Sequence, residues 1–311
     1  MTSPLLQPRH LALLLASALA FAAGPACAQD APAAAQKSAQ DKVDDAVKAL
    51  TKDPRFKKLS PKYLQQVTEF AVGNTLFVVL HELAHAATSQ MKIPILGRRE
   101  DAADGFAITR LIKLDKTFTD GVLDATAKGW FMSDRRDKKT GDTVPFYDEH
   151  GLDLQRAYQI VCLMVGSGEE KYQKLADETK LPKDRQKGCA GDFGDAFYGW
   201  EASLMPHLRA PDQEKTKIDV VYGEGKDDLA VVAQVLRSVG LLEAVADRAA
   251  SAYAWPNPFT LEAKSCGVVN AAWDSSTRKL TLCYELASDF VDLYRGYGET
   301  RQSGGKRRSA K

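Results

Sequence analysis

A short stretch that reads HELAHA, residues 81–86, places the strongest constraint on how this 311-residue chain can fold. His81 and His85 are four residues apart, so an α-helix would bring both imidazoles to one face, about 5–6 Å from each other. The flanking residues are uncharged: Val79, Leu83, Ala84, Ala86 and Ala87. Two histidines and a glutamate are costly to bury without a partner, and we therefore expect a buried helix that carries a bound group.

The helix that holds this stretch has a clear start. Ser60 and Pro61 have the residue types of an N-cap and a first helical turn, and the pattern continues to about Met91, with Gly73 as a possible interruption. A second helix is predicted from Glu100 to Lys113.

The rest of the chain also has mostly helical patterns. Further helices are predicted near residues 119–132, 152–166, 190–208, 227–250 and 285–296, and strands at 218–222, 268–273 and 280–283. The predicted fold class is α+β with helix predominating.

The N-terminus is typical of a secretory signal peptide. An apolar run of about 12 residues is followed by Ala26-Cys27-Ala28, which predicts cleavage after residue 28 and export to the periplasm or the medium. Such a run is short of the ~20 residues that span a bilayer, so no membrane span is expected in the mature chain. Lipid modification of Cys27 is an alternative.

The remaining chain divides simply. We predict a flexible linker at 29–43, a single domain at 44–298 and a disordered basic tail at 299–311. The chain has 42 basic and 41 acidic side chains, and nothing in it resembles a nucleic-acid surface. Bulk charge therefore does not select its partners, and its oligomeric state stays open.

Four cysteines follow the predicted cleavage site, and an exported protein favours disulfides. Cys266 and Cys283 lie symmetrically about the turn-like Asp-Ser-Ser-Thr that begins at Asp274, so a hairpin there would place them opposite each other. That pairing leaves Cys162 with Cys189. Four free buried thiols are the alternative.

The HELAHA stretch also suggests chemistry. His81 and His85 could bind one zinc ion per chain, whereas Glu82 is turned about 100° around the helix and could serve as a general base for a water that the metal activates. Two core histidines satisfied by hydrogen bonds are the alternative.

A catalytic zinc needs a third protein ligand. Glu100 and Asp104 have helical i, i+4 spacing; Glu100 could bind the metal while Asp104 accepts a hydrogen bond from one histidine and fixes its tautomer. Alternatively, an acidic first turn merely suits the helix dipole.

HELAHA followed by EDAAD resembles the glutamate-zincin metallopeptidases, and the ExxAD form is similar to their neprilysin-like branch. The chain resembles more closely a bacterial family of zinc metallopeptidases that shares HELxHA, GREEDAAD-like, DLQRAYxIVCL-like and LCYEL-like stretches, over most of residues 60–290. This resemblance implies a zincin-like domain, a zinc cofactor, peptide substrates and Glu100 as the third ligand.

The resemblance extends to the spacing D-x-H-x5-R formed by Asp148, His150 and Arg156. It implies that His150 stabilises the transition-state oxyanion, that Asp148 orients this histidine and that Arg156 holds a substrate carbonyl. An N-cap aspartate and a surface arginine are the alternative.

The stretch VVNAAWD is similar to the strand with which neprilysin-like enzymes bind substrate backbone, which implies that Asn270 and Ala271 face the cleft. In this chain the stretch follows HELAHA instead of preceding it, and a purely structural hairpin is the alternative. The sequence does not decide whether Glu285 is structural or functional.

The sequence therefore predicts an exported zinc metallopeptidase that cleaves peptide bonds. Two alternatives stay open: a zinc-dependent amidase or hydrolase acting on another substrate, and a non-catalytic periplasmic binding protein with a structural zinc.

Overall fold

A long central helix, α2 (Pro61–Met91), organises the fold in the computed structural model, which describes residues 39–308 except 115 and 143–144. Side chains are described for residues 44–114, 121–142 and 145–296. The Ser60 hydroxyl accepts a hydrogen bond from the Tyr63 backbone N–H at 3.2 Å and caps the helix. Helix α2 passes through Gly73 without a break, and helix α4 (Lys116–Thr140) packs closely against this glycine.

Helices make up most of the molecule, as the sequence predicts. The others are α1 (Ala39–Leu50), α3 (Arg99–Lys113), α5 (Asp153–Gly166), α6 (Glu170–Glu178), α7 (Lys183–Leu204), α8 (Leu229–Val239), α9 (Leu241–Ala252) and α10 (Tyr284–Arg308). The single helix predicted at 227–250 is wrong, because Gly240 adopts a left-handed φ of 66° and divides it into α8 and α9.

The ends of the chain lie partly outside the described residues. The predicted signal peptide, residues 29–38 of the predicted linker and residues 309–311 of the predicted tail are among those not described. Helix α1 begins at Ala39 and α10 runs to Arg308, so helical structure extends into the predicted linker and tail.

Helix α2 is the core helix of the fold. It packs against α1, α3, α4, α10 and part of the sheet, and its buried residues include Val67, Phe70, Phe77, Val79 and Leu83. By length and composition α2 could cross a bilayer, yet 89% of its most apolar window is buried inside the protein. Burial of that kind is what a core helix shows.

A four-stranded sheet completes the α+β fold. Its strands are β1 (Ile218–Tyr222), β2 (Phe259–Lys264), β3 (Ala271–Asp274) and β4 (Lys279–Cys283), in the order β1-β2-β4-β3. The β1–β2 and β2–β4 pairs are parallel, and β3 is an edge strand antiparallel to β4. Strand β2 was not predicted, and the strand predicted at 268–273 corresponds to β3, which begins only at Ala271.

Both predicted disulfides are confirmed, with Cα–Cα distances of 5.0 Å for Cys162–Cys189 and 5.4 Å for Cys266–Cys283. The hairpin geometry predicted for the second one is wrong. Asn270 lies opposite Cys283 and accepts its backbone N–H at 3.1 Å, because the turn lies further along the chain than predicted. Cys266 follows β2, so the bridge joins the end of β2 to the end of β4.

Candidate active site

Three predicted ligand atoms from two helices meet beside the core. His81 and His85 extend from α2 and Glu100 from the first turn of α3. The two Nε2 atoms are 3.2 Å apart, and Oε2 of Glu100 lies 2.9 Å from that of His81 and 3.1 Å from that of His85. Ligands about 2.0–2.1 Å from a tetrahedral zinc would be about 3.3 Å from each other, so this triangle fits such an ion closely.

The charges around this triangle also favour a cation. Burial tends to raise the pKa of Glu100, but hydrogen bonds with His150, His81 and His85 outweigh it and hold that pKa well below its usual range. Burial tends to lower the pKa of His81, yet hydrogen bonds with Asp104 and Glu100 raise it to about 9. An ionised Glu100 carboxylate thus faces the His81 imidazole, which holds a proton tightly, and a metal would compete there with that proton.

Behind the triangle, Asp104 connects His81 to a buried arginine. Oδ1 of Asp104 lies 2.7 Å from Nδ1 of His81, and its two oxygens accept hydrogen bonds from Arg156 at 2.8 Å each. The Arg156 guanidinium also stacks over the Trp130 ring at 3.8 Å. An acceptor at Nδ1 keeps the proton on that nitrogen and leaves Nε2 free to bind a metal.

These contacts bear on the roles predicted for Asp104 and Arg156. Asp104 lies beside Nδ1 of His81, as expected of a residue that fixes the tautomer of this histidine. Arg156 is only 8% exposed and is occupied by Asp104, so its predicted contact with a substrate carbonyl stays a prediction. Burial alone would raise the pKa of Asp104, but Arg156 and His81 lower it.

Glu82 lies beside the predicted metal ligands and has a hydrogen-bond partner of its own. Its Oε2 accepts the backbone N–H of Trp273 at 2.8 Å, and the residue is 7% exposed. Burial raises the pKa of Glu82, while His81 and His85 work against that shift. A carboxylate with a raised pKa and a fixed orientation suits a general base.

His150 approaches the same centre from the segment between α4 and α5. Its Nε2 lies 3.1 Å from Oε2 of Glu100, and its Nδ1 lies 3.4 Å from Oδ1 of Asp148, which also accepts the His150 backbone N–H at 2.8 Å. The hydrogen bond to Glu100 raises the pKa of His150. His150 is therefore a donor beside the three predicted ligands, with a side chain that is 42% exposed.

Arg98 holds this segment in place, and the sequence analysis missed it. Its guanidinium donates hydrogen bonds to the backbone carbonyls of Glu149 at 2.8 Å and Asp148 at 3.3 Å. Since Arg98 immediately precedes α3, it ties the His150 segment to the helix that carries Glu100. Arg98 lies between an apolar loop and Arg99 in the sequence, and this setting gives no signal of such a contact.

Edge strand β3 lies along the other side of Glu82. Asn270 and Cys283 form a hydrogen-bonded pair, and such pairs alternate along an antiparallel ladder. The backbone N–H and C=O groups of Ala271 and Trp273 therefore point away from β4, toward the free edge, and the Trp273 N–H reaches Glu82. The sequence analysis singled out Asn270 and Ala271 but missed Trp273, although it lies in the same stretch.

Glu285 has a structural contact that accounts for its position. Its carboxylate accepts the backbone N–H groups of Cys266, at 3.0 Å, and Gly267, at 2.7 Å. Gly267 has a φ of 79°, and the turn it forms leads into β3. Glu285 therefore stabilises the loop that precedes the edge strand.

Comparison with known families identifies the family of this chain. The model of a family described as "Putative metallopeptidase" matches residues 39–204 and 222–310. The chain belongs to this metallopeptidase family. The match includes each residue discussed in this site, and membership confirms the predicted family and the class of hydrolase. It also implies a metal ion, for which the His and Glu cluster supplies candidate ligands. Searches of curated proteins and of solved structures found no match.

Proposed function

We propose that this metallopeptidase is an exported zinc enzyme of the glutamate-zincin type, with His81, His85 and Glu100 as ligands. The observation that carries the proposal is the triangle of two imidazole nitrogens and one carboxylate oxygen, with sides of 2.9–3.2 Å. Two histidines and one glutamate are a donor set of catalytic zinc sites, which keep one position open. When bound, zinc lowers the pKa of water toward ~7 and polarises a carbonyl.

Glu82 is the proposed general base. Its carboxylate takes a proton from the attacking water and delivers it to the amine that leaves when the peptide bond breaks. The Trp273 N–H holds one of its oxygens, so the other is available for proton transfer.

His150 and Asp148 have the proposed role of stabilising the negative oxygen that develops on the scissile carbonyl. His150 is half-buried beside Glu100, and Asp148 lies close enough to its Nδ1 to orient the ring. A preorganised donor of this kind acts mainly on the transition state.

Ala271 is proposed to bind substrate by strand addition. Its backbone N–H and C=O face the free edge of β3, two residues from the group that contacts Glu82. A peptide that pairs with this edge would lie across the site, and main-chain pairing is tolerant of sequence. Asn270 would flank it.

Export is part of the proposal. It rests on the signal-like sequence of residues 1–28 and agrees with two disulfides, which persist in oxidising compartments such as the periplasm. The proposed localisation is periplasmic or secreted.

One observation favours a second candidate, a non-catalytic protein with a closed structural zinc. His150 brings a fourth donor to 3.1 Å from Glu100, and structural sites usually have four protein ligands. We favour the catalytic role because the proposed ligands on α2 and α3 are only 3–13% exposed, whereas His150 is 42% exposed and lies on an irregular segment. A zinc-dependent amidase acting on non-peptide substrates has no observation of its own in its favour.

Metal analysis and peptidase assays of five proteins test these roles: wild type, His85→Ala, Glu82→Gln, His150→Ala and the control His207→Ala. We expect about one zinc per chain in all but His85→Ala. Glu82→Gln should keep the zinc and lose about 10²–10⁴-fold in kcat/KM, the usual contribution of a general base.

Two outcomes would contradict the proposal. Full activity in zinc-loaded Glu82→Gln would remove Glu82 as the base. The closed structural site would instead be supported if the wild-type protein cleaved no peptide and His150→Ala lost the zinc.

A further inference from the structure

Trp273 contacts helix α2 at two separate points. Its backbone N–H donates to Oε2 of Glu82 at 2.8 Å, and its indole Nε1–H donates to Oγ of Ser89 at 2.9 Å. Glu82 and Ser89 are seven residues apart, so they lie on nearly the same face of the helix, about 10.5 Å apart along its axis. One residue of the edge strand therefore spans about two turns of α2.

The indole ring also contacts the sheet. Its ring packs edge-to-face against Phe259 of β2, with the ring centres 5.7 Å apart and an interplanar angle of 90°. Trp273 thus links the sheet to the helix that carries the predicted ligands. The Ser89 hydroxyl is the only described polar partner of the indole N–H.

The Glu285 carboxylate holds the loop before strand β3 and the Asp274 carboxylate holds the turn after it, whereas the Trp273 contacts tie the strand to α2. The strand has four residues and pairs with β4 alone. A shift of one residue would turn every side chain of a strand to the opposite face of its sheet. It would also withdraw the Trp273 N–H from Glu82 and turn the free backbone groups of Ala271 away from the edge.

We propose that Ser89 is a positioning residue for this site. Its hydroxyl fixes where β3 lies along α2, and through β3 it sets both the N–H donor of Glu82 and the substrate-binding edge at Ala271. In this role Ser89 contacts neither the substrate nor the proposed metal ligands. The inference rests on the proposed function.

Steady-state kinetics on a peptide substrate test this role with Ser89→Ala, Ser89→Thr, Trp273→Phe and the combined Ser89→Ala/Trp273→Phe variant. Loss of one neutral hydrogen bond should lower kcat/KM about five- to tenfold, through a higher KM and a lower kcat. Threonine retains the hydroxyl and should restore most of the activity. The combined variant should be no worse than Trp273→Phe, because both changes remove the same bond.

The control is Ser238→Ala, a half-buried serine on α8. Alanine is the better helix former, so neither serine variant should lose helical structure for local reasons. Ser89→Ala with wild-type KM and kcat, or effects that add in the combined variant, would overturn the role of Ser89.

A second measurement does not depend on activity. The chain has four tryptophans, so an NMR spectrum resolves up to four indole N–H signals, and Trp273→Phe identifies one by its loss. Ser89→Ala should shift that signal and leave the others in place. A wild-type protein without peptidase activity refutes the proposed function, and the catalytic role of Ser89 with it. An active peptidase whose Trp273 signal is unchanged in Ser89→Ala refutes the role of Ser89 alone.

Discussion

The buried ion pair behind the proposed metal ligands gives the sharpest test of how this site is held together. Asp104 is 2% exposed and Arg156 is 8% exposed, and two hydrogen bonds of 2.8 Å join them. In Asp104→Asn the buried guanidinium keeps its charge but loses the carboxylate to which it is hydrogen-bonded. Breaking a buried pair in this way costs about 3–5 kcal/mol of unfolding free energy. In a domain of this size, the melting temperature should fall by about 6–20 °C.

The stability measurement is urea unfolding followed by circular dichroism, with EDTA present so that metal binding does not contribute. Zinc affinity is measured separately, and we expect it to fall about 10–100-fold because Nδ1 of His81 loses its charged acceptor. Asp101→Asn is the matched control: it is on the same helical turn and has no ion pair among the described residues.

A double variant separates folding from metal binding. Asp104→Leu/Arg156→Met replaces the buried pair by apolar side chains, and such exchanges are often neutral or stabilising. We expect most of the lost stability to return, with methionine still packing on Trp130, while zinc affinity stays low. The reasoning is refuted if Asp104→Asn costs less than about 1 kcal/mol, or if the double variant is as unstable as the single one.

Three further predictions concern stability away from the proposed metal site. Burial raises the pKa of Glu69 from 4.5 to about 7, so the folded state binds the Glu69 proton more tightly than the unfolded state does. The unfolding free energy should therefore fall as pH rises from about 4.5 to 7. Glu69→Gln should remove this contribution to the pH dependence, as urea titrations at several pH values would show. Replacing Cys266 and Cys283 by serine opens a loop with a sequence separation of 17 and should lower the unfolding free energy by about 3 kcal/mol; an unchanged urea midpoint would contradict this. Gly129→Ala would place a Cβ against a buried asparagine amide and should destabilise the protein by about 1–3 kcal/mol. In Gly199→Ala the new Cβ meets open space on α7, and the protein should be stabilised by up to about 1 kcal/mol. Melting temperatures would show both effects.

The helical part of the site could be predicted because its determinants are local. The spacing of His81 and His85, the N-cap at Ser60 and the apolar neighbours are all read within a few turns of one helix. Glu100 and Asp104 also follow from i, i+4 spacing, and the structure places both of them against His81. Helical periodicity carries this information in the chain itself.

The sheet and its contacts could not be predicted as well, because they depend on residues far apart in the sequence. Strand β2 lies centrally between two parallel neighbours, and its sequence FTLEAK was too weak a pattern to identify alone. The symmetric spacing of Cys266 and Cys283 led to the right disulfide for the wrong reason, since Cys266 belongs to the end of β2. Parallel pairing leaves no sequence signal comparable with a tight hairpin turn.

The contact between Glu82 and Trp273 joins residues 191 positions apart, and this separation has a consequence for biosynthesis. A nascent chain that has emerged as far as α7 already contains His81, His85, Glu100 and His150. It has no edge strand, however, and therefore neither the donor to Glu82 nor the surface that would pair with a peptide. A truncated product ending before β2 would have the proposed zinc ligands without these two elements. In the proposed enzyme, a strand synthesised after all the proposed ligands thus completes the proteolytic site, which delays activity until β3 has emerged.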